Sequence, residues 1–255
     1  MSTLILALAA GAVIGLALGA LGGGGSVLAV PALIYLLGFT PVAATTASLV
    51  IVAVTSATAM SAHARDGNVR WRTGLLFAAA GIGPAMLGGA LAGRVPAAVL
   101  TAAFAMVAGA AALRMLRSRP RAADTVVPVR PVRPVRPVRV AAAGGGLGAV
   151  TGVLGVGGGF LAVPALVNVL GMRMRNAVGT SLLVITVNSL AALAMRTGTA
   201  DGLDWAVIGP FAGAAILGAW DGKRLATKIS GHTLQRVFAL VLLAVAAFML
   251  IDAAA

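Results

Sequence analysis

The hydrophobic and polar positions of this 255-residue chain form long apolar stretches separated by short polar ones. The apolar stretches cover residues 4–37, 45–62, 73–92, 97–116, 140–170, 178–195, 203–220 and 233–251. About 20 apolar residues are enough for a helix to cross the hydrocarbon core of a bilayer. Because the stretches are rich in Ala, Leu, Val and Gly, they favour helices over barrel strands. The pattern predicts an all-α, polytopic membrane protein with about eight transmembrane helices.

The first apolar stretch does not fit one straight crossing. As a single helix, residues 4–37 would span about 50 Å, well beyond the thickness of the hydrocarbon core. Four glycines at 22–25 interrupt the stretch, and the part after them is too short to cross alone. We therefore expect a broken or re-entrant helix at this point.

The chain contains an internal repeat. LGGGGSVLAVPALIYLLG at 21–38 aligns without gaps with LGVGGGFLAVPALVNVLG at 154–171, with 12 of 18 positions identical at an offset of 133 residues. The alignment predicts two homologous four-helix repeats, 1–116 and 140–255, joined by a linker at 117–139. Four crossings per half would make the repeats parallel, and a fifth crossing would make them inverted. The sequence leaves this choice open.

Composition supports a membrane location. The chain is 60% hydrophobic and 10% charged, with a mean hydropathy of +1.04, whereas soluble domains are about one quarter charged. The net charge of +13 does not indicate nucleic-acid binding, because the basic residues lie in the linker and at the ends of apolar stretches. The absence of cysteine excludes disulfides and thiolate ligands.

The linker contains four consecutive Pro-Val-Arg triplets at 128–139, which predict polyproline II structure. Its arginines either rest on anionic membrane lipid or belong to a solvated linker that only fixes topology. The positive-inside rule places the linker in the cytoplasm. We expect the protein to lie in the bacterial inner (plasma) membrane. With four crossings per half, both termini would also be cytoplasmic.

The glycines of the repeat predict two different features. Gly11, Gly15 and Gly19 are spaced by four residues, which favours close approach of another helix. The glycine clusters would break their helices and point backbone N–H groups at a cavity, a cradle for an anion without a cation. A packing kink closed by a neighbouring helix is the alternative. The candidate substrate-binding residues here are Gly22, Gly23, Gly24, Gly25, Ser26, Gly155, Gly157, Gly158 and Gly159, and the prolines after them, Pro31 and Pro164, are assigned a structural role.

The next helix of each half carries a polar stripe. Ser48 and Thr55 lie on one face of the first-half helix, and Ser181 and Asn188 occupy the equivalent face in the second half. Hydroxyl and amide donors on one stripe could bind the oxygens of an oxyanion. They could equally hydrogen-bond helices to one another within a membrane. All four are candidate substrate-binding residues.

Several kinds of site are not supported by the sequence. All six acids are Asp, and none lies in the middle of an apolar stretch, so no carboxylate is placed for an intramembrane proton relay. No base has an orienting partner for catalysis, so we expect neither an enzyme nor a cofactor or metal site. His63 and His232 lie at the ends of apolar stretches, which is typical of loop histidines.

The repeated glycine-rich segments resemble those of the sulfite exporter TauE/SafE family of bacterial permeases for sulfur-containing anions. The resemblance rests on the paired glycine-rich stretches that end in Val30-Pro31-Ala32-Leu33 and Val163-Pro164-Ala165-Leu166, and on Gly179-Thr180-Ser181. It implies a substrate contact at Thr180. The first-half counterpart, Thr46-Ala47-Ser48, departs from this pattern. The resemblance covers the chain apart from the Pro-Val-Arg linker and implies a small anionic solute such as sulfite or a sulfonate.

Two functions remain as hypotheses. The first is a permease or exporter of a small oxyanion that works by alternating access at the interface of the two repeats. The second is a non-transporting membrane scaffold or assembly factor whose glycines only pack helices. An intramembrane enzyme would need a catalytic pair of residues that the sequence lacks. The sequence leaves the oligomeric state, including a homo-oligomer, undecided.

Overall fold

The computed structural model describes residues 2–92, 105–106, 109–110, 112–117, 137–154, 159–194 and 204–254. Within these residues the regular structure is helical. The α-helices are α1 Ser2–Leu21, α2 Ser26–Pro31, α3 Pro41–Arg65, α4 Trp71–Ala92, α5 Pro137–Leu154, α6 Gly159–Asn168, α7 Met174–Ala194, α8 Trp205–Lys228 and α9 Gly231–Ala254. A short 3-10 helix, Gly22–Gly25, separates α1 from α2, and a π-helix, Ala32–Leu36, follows α2.

Three helices in the described ranges are long and apolar enough to cross a membrane by length and composition. They contain the spans Thr3–Leu21, Thr46–Arg65 and Met174–Leu193. The shorter segment Ala239–Phe248 is also apolar. These spans agree with a membrane protein, and the total of about eight crossings stays a prediction.

Helix boundaries follow local chemistry. Thr40 caps α3, because its hydroxyl accepts the N–H of Ala43 at 3.4 Å, and Pro41 occupies the first helical position. Asp204 caps α8 in the same way, accepting the N–H of Ala206 at 3.0 Å. The last Pro-Val-Arg triplet, which begins at Pro137, forms the first turn of α5. The polyproline II prediction was wrong for this triplet, since proline is also compatible with a helix start.

Helices α1 and α8 pack side by side through glycine, although they belong to different halves. Three glycines of α1 lie against the backbone of α8, in the pairs Gly11 with Phe211, Gly15 with Ala215, and Gly19 with Ala219. Residue numbers rise together along both helices, so the helices are parallel. A Cβ atom at Gly15 would collide with the carbonyl of Ala215. The close approach predicted from the glycine spacing is therefore present.

Helices α4 and α5 repeat this arrangement with the halves exchanged. Gly144 lies against the backbone of Phe77, and Gly148 lies against that of Gly81. These helices are also parallel. In the repeat α1 corresponds to α5 and α4 corresponds to α8, so each half supplies one helix to each pair.

The ends of the helices show how the two halves are oriented. The C-terminal parts of α1, α3 and α8 lie together, since the His63 side chain contacts the Gly19 carbonyl and Lys223 contacts the Ala62 carbonyl. The same end holds the beginning of α7, where the Thr180 hydroxyl accepts the N–H of Arg70, which precedes α4. Helices α4, α5 and α7 therefore begin where α1, α3 and α8 end.

Equivalent helices of the two halves run in opposite directions, so the repeats are inverted. Because α1 and α3 run the same way, the segment at 22–40, which contains α2, carries the chain back between them. The sequence left the choice between parallel and inverted repeats open, and the directions of the described helices decide it.

Charge is concentrated at one end of the molecule. We call it the basic end, and its residues are Arg65, Arg70, Arg72, Arg139, Arg173, Arg175, Lys223, Arg224, Lys228 and Arg236. The described residues at the opposite end include Asp204 and Asp252 but no Lys or Arg. Helix α1 begins at that opposite end and α9 finishes there, whereas α5, which follows the linker, begins at the basic end. The prediction that both termini share the side of the linker was therefore wrong.

The buried core draws on both halves. One cluster joins Leu33 of the π-helix and Ile51 of α3 to Leu182 of α7 and Phe211 of α8. A second cluster contains Phe77, the repeat counterpart of Phe211, together with Leu166 of α6. Both clusters formed by the described residues contain side chains of the two halves, so the interface between the halves is part of the core.

Candidate functional site

The first glycine cluster forms the predicted interruption of the helix. Gly22 has a φ of +66°, a left-handed conformation that favours glycine. A Cβ atom at Gly22 would lie 2.6 Å from the Ser181 hydroxyl oxygen and 3.0 Å from the Val178 carbonyl oxygen. Backbone conformation and close approach to α7 therefore both require glycine at this position.

A hydrogen bond connects this break to the other half. The N–H of Gly23 donates to the Ser181 hydroxyl oxygen at 3.3 Å, and that hydroxyl donates to the Val178 carbonyl at 2.8 Å. The Ser26 hydroxyl donates to the Gly23 carbonyl at 2.7 Å. Three predicted site residues thus meet at one point, buried from solvent. The sequence predicted bare amides at the break, but the Gly23 amide has a neutral hydroxyl as its partner.

The second glycine cluster lies largely outside the described residues. Helix α5 ends at Leu154 and α6 begins at Gly159, so Gly155, Gly157 and Gly158 fall in the gap. Their role stays a prediction. In the repeat, the counterpart of Ser181 is Ser48, which is buried in α3.

Helices α3 and α7 cross at a cluster of hydroxyl and amide side chains. Ser56 and Thr186 share a hydrogen bond of 2.9 Å between the halves. Each hydroxyl also donates to a carbonyl of its own helix, Ser56 to Ala53 at 3.2 Å and Thr186 to Leu182 at 2.8 Å, so either can be the donor between them. Thr186 was not predicted as a site residue, because its counterpart in the first half is Ala53, which has no polar side chain.

Three buried polar atoms near this crossing have no hydrogen-bond partner within the described ranges. They are Oγ1 of Thr55, Oδ1 of Asn188 and Oγ of Ser189. Thr55 and Asn188 are repeat counterparts at the 133-residue offset. Buried polar atoms normally have a partner in the protein, a water molecule or a ligand. The interior therefore presents hydrogen-bonding groups at matched positions of both halves.

Other predicted residues have different surroundings. The Thr180 hydroxyl accepts the N–H of Arg70 at 3.1 Å and so supports the start of α4 instead of joining the break. Pro31 is the last residue of α2, and Pro164 is buried inside α6. Since proline has no N–H, each releases a carbonyl one turn earlier in its helix.

His63 lies in the interior, not in a loop. It is 4% exposed within α3, and its Nε2 atom is 3.1 Å from the Gly19 carbonyl. A carbonyl only accepts, so Nε2 carries the proton. The interpretation of His63 as a loop histidine was wrong, because α3 continues to Arg65 and α1 covers its last turn.

Comparison with known proteins identifies similar sequences. A family model described as "Sulfite exporter TauE/SafE" matches residues 7–249. Two relatives from Xylella fastidiosa, strains Temecula1 / ATCC 700964 and 9a5c, are both named "Probable membrane transporter protein". They are 36% and 35% identical to this chain over 254 residues, covering 97% of it and 95% of each relative. No solved structure matches this chain.

Proposed function

Since the chain belongs to the sulfite exporter TauE/SafE family and is a membrane transporter, we propose that it carries a small oxyanion, such as sulfite or an organosulfonate, by alternating access. The family is one of transporters and not of enzymes.

One observation carries the choice of an oxyanion: the Gly23 amide of one half meets the Ser181 hydroxyl of the other at the helix break. Amide and hydroxyl groups donate hydrogen bonds to oxyanion oxygens, and the start of a helix favours negative charge. In the structure the Ser181 hydroxyl donates its hydrogen bond to the Val178 carbonyl. When an anion arrives, the hydroxyl can rotate and donate to it, so both groups become donors without moving the backbone.

The inverted halves support alternating access. The Gly22–Gly25 break lies beside Val178 and Ser181, between the basic end and the crossing of α3 with α7. In the repeat, Ser48 of α3 is the counterpart of Ser181 and lies on the opposite side of the crossing. We infer a path from one break, past Thr55 and Asn188, to the other. Exchanging the conformations of the two halves would open this path first at one end and then at the other.

The charge asymmetry supports an orientation. By the positive-inside rule, the basic end and the linker face the cytoplasm, and both termini lie on the other side of the bacterial inner membrane. A negative-inside potential then drives an anion outward by about 2.3 kcal/mol per charge per 100 mV. Export would therefore need no coupled proton.

Solute binding and flux test the proposal. The purified protein is screened for thermal stabilisation by sulfite, sulfoacetate, thiosulfate and simple carboxylates, because a ligand of the native state raises apparent stability. The best solute then enters a liposome flux assay with Ser181→Ala. We expect flux to fall about tenfold, as for loss of one hydrogen bond to a charged group.

Ser61→Ala is the matched control, because the Ser61 hydroxyl is on an exposed residue of α3 and donates only to the nearby Thr58 carbonyl. It should retain full flux. If no solute of the panel stabilises the protein or crosses the liposome membrane, the oxyanion proposal fails.

A further inference from the structure

A lysine of the second half is held by two groups at the end of α3 in the first half. The Lys223 ammonium of α8 lies 2.9 Å from a carboxylate oxygen of Asp66 and 2.7 Å from the Ala62 carbonyl oxygen. The Lys223 side chain is 19% exposed and that of Asp66 is 41% exposed. The contact therefore closes the gap between α3 and α8 at the basic end.

The same cluster touches the helix that leads into the glycine break. His63, one residue after Ala62, donates from Nε2 to the Gly19 carbonyl, and Gly19 packs on the backbone of Ala219 in α8. Gly19 lies only three residues before Gly22, where the break begins. The position of α8 relative to α3 is thus connected through α1 to the geometry of the break.

The cluster has no copy in the repeat. The Asp-Gly…Trp pattern that ends at Trp71 recurs at Trp205, so the offset between the halves is 134 residues from there on, and the counterpart of Lys223 is Gly89. At the 133-residue offset the counterpart of His63 is Arg196, and Asp66-Gly67 recurs as Asp201-Gly202. A glycine cannot form an ion pair through a side chain, so the sequence cannot build the equivalent contact from the same positions in the other half. The two halves share their glycine packing, but the Lys223 cluster distinguishes the basic end from the opposite end.

We propose that Lys223 is a gating residue, and that its ion pair with Asp66 closes the basic end of the transport path. The inference rests on the proposed function, because a gate requires a path. The chemistry of opening is an exchange of anions: the oxyanion solute replaces the Asp66 carboxylate on the Lys223 ammonium. One anion replacing another keeps the lysine paired at each step, whereas an uncompensated lysine in a confined site is costly.

The strength of the contact suits a gate. Partly exposed ion pairs contribute little to stability, typically up to about 1 kcal/mol, which corresponds to a bias of about fivefold between two conformations. Such a bias favours the closed state without trapping it. The pair of Arg224 with Asp221, at 3.4 Å and on exposed side chains, lies beside it and connects two positions of the same helix.

The absence of cysteine makes a direct test possible, because any introduced thiol is the only one in the chain. Ser26→Cys places a reporter of nearly the same shape at the first buried residue after the break. Its reaction with a membrane-impermeant maleimide is measured in inside-out and right-side-out membrane vesicles, with and without Lys223→Gln. We expect Lys223→Gln to accelerate labelling about fivefold from the side of the basic end alone.

Three further variants separate the gate from its alternatives. Asp66→Asn should accelerate labelling in the same way, Lys223→Arg should restore the slow rate, and Arg224→Gln should leave it unchanged. Equal labelling in Lys223→Gln and Arg224→Gln, or acceleration from both sides, would overturn the proposal. If Lys223→Gln does not reach the membrane, Asp66→Asn decides the question, because Asp66 is the more exposed partner.

The labelling result is independent of flux. One-sided acceleration without transport of any tested solute would support the gate and contradict the oxyanion function. Flux with labelling that is insensitive to Lys223 and Asp66 would support the function and contradict the gate.

Discussion

The pair of α1 with α8 and the pair of α4 with α5 are two versions of one packing arrangement. In both, glycines bring parallel helices from different halves to backbone contact, Gly15 on Ala215 in one pair and Gly148 on Gly81 in the other. Lys223 of α8 forms an ion pair with Asp66, whereas its counterpart in α4, Gly89, has no side chain that could do so. The difference indicates that the two halves share a common scaffold, while their side chains at the helix ends are free to diverge.

The strongest test of this comparison is steric. Gly15→Ala and Gly148→Ala each place a methyl group against a carbonyl of the partner helix, so we expect each to destabilise the protein by about 1–3 kcal/mol. Thermal unfolding in detergent, followed by gel-filtration, measures the effect. Similar losses in both variants would sharpen the comparison.

Gly83→Ala in α4 and Gly213→Ala in α8 are controls for these substitutions. No atom lies within 4 Å of a Cβ added at either position. Alanine is favoured over glycine in a helix by roughly 1 kcal/mol, so both variants should be as stable as the native protein or slightly more so. A loss as large as that of Gly15→Ala would contradict the steric explanation.

A smaller effect is expected at the repeat-related serines Ser181 and Ser48. If the second break uses Ser48 as the first uses Ser181, then Ser48→Ala should lower oxyanion flux by a similar factor, about tenfold. Flux in liposomes at several solute concentrations measures this. Loss of flux in Ser181→Ala alone would show that the two breaks have different roles.

The smallest effect is predicted at the crossing of α3 and α7. Ser56→Ala removes the hydrogen bond to Thr186 and should cost about 0.5–1.5 kcal/mol. Ser189→Ala, at the repeat counterpart, removes a hydroxyl without a partner in the described structure and should be neutral or stabilising. Thermal stability of the two variants, compared side by side, tests this; a greater loss in Ser189→Ala would assign it a bound water or solute.

Much of the fold could be predicted from the sequence. Glycine spacing predicted close helix packing, and the repeat predicted related halves and the interruption at Gly22–Gly25. The inverted orientation could not be predicted in this way. An apolar stretch such as residues 4–37 has the same hydropathy whether it continues or turns back, and only contacts such as Gly19 with His63 reveal the direction of the next helix.

The contacts at the break were predicted in part, for a related reason. Ser181 and Gly23 were predicted because both belong to segments that recur in the two halves. Thr186 and Lys223 align with Ala53 and Gly89, so the repeat does not indicate them. Comparing the halves identifies what they share and misses what one half alone has acquired. His63 was missed because position at the end of an apolar stretch does not determine burial.

The pairing of α1 with α8 has a consequence for biogenesis. Gly15 leaves the ribosome 200 residues before its partner Ala215. At a synthesis rate of about 5–20 residues per second, α1 waits roughly 10 to 40 seconds in the membrane for the helix that covers its glycine face. During that interval lipid or another protein contacts the glycine face of α1 in place of α8. A truncated product that ends before α8 would keep the face uncovered and so become a substrate for membrane proteases.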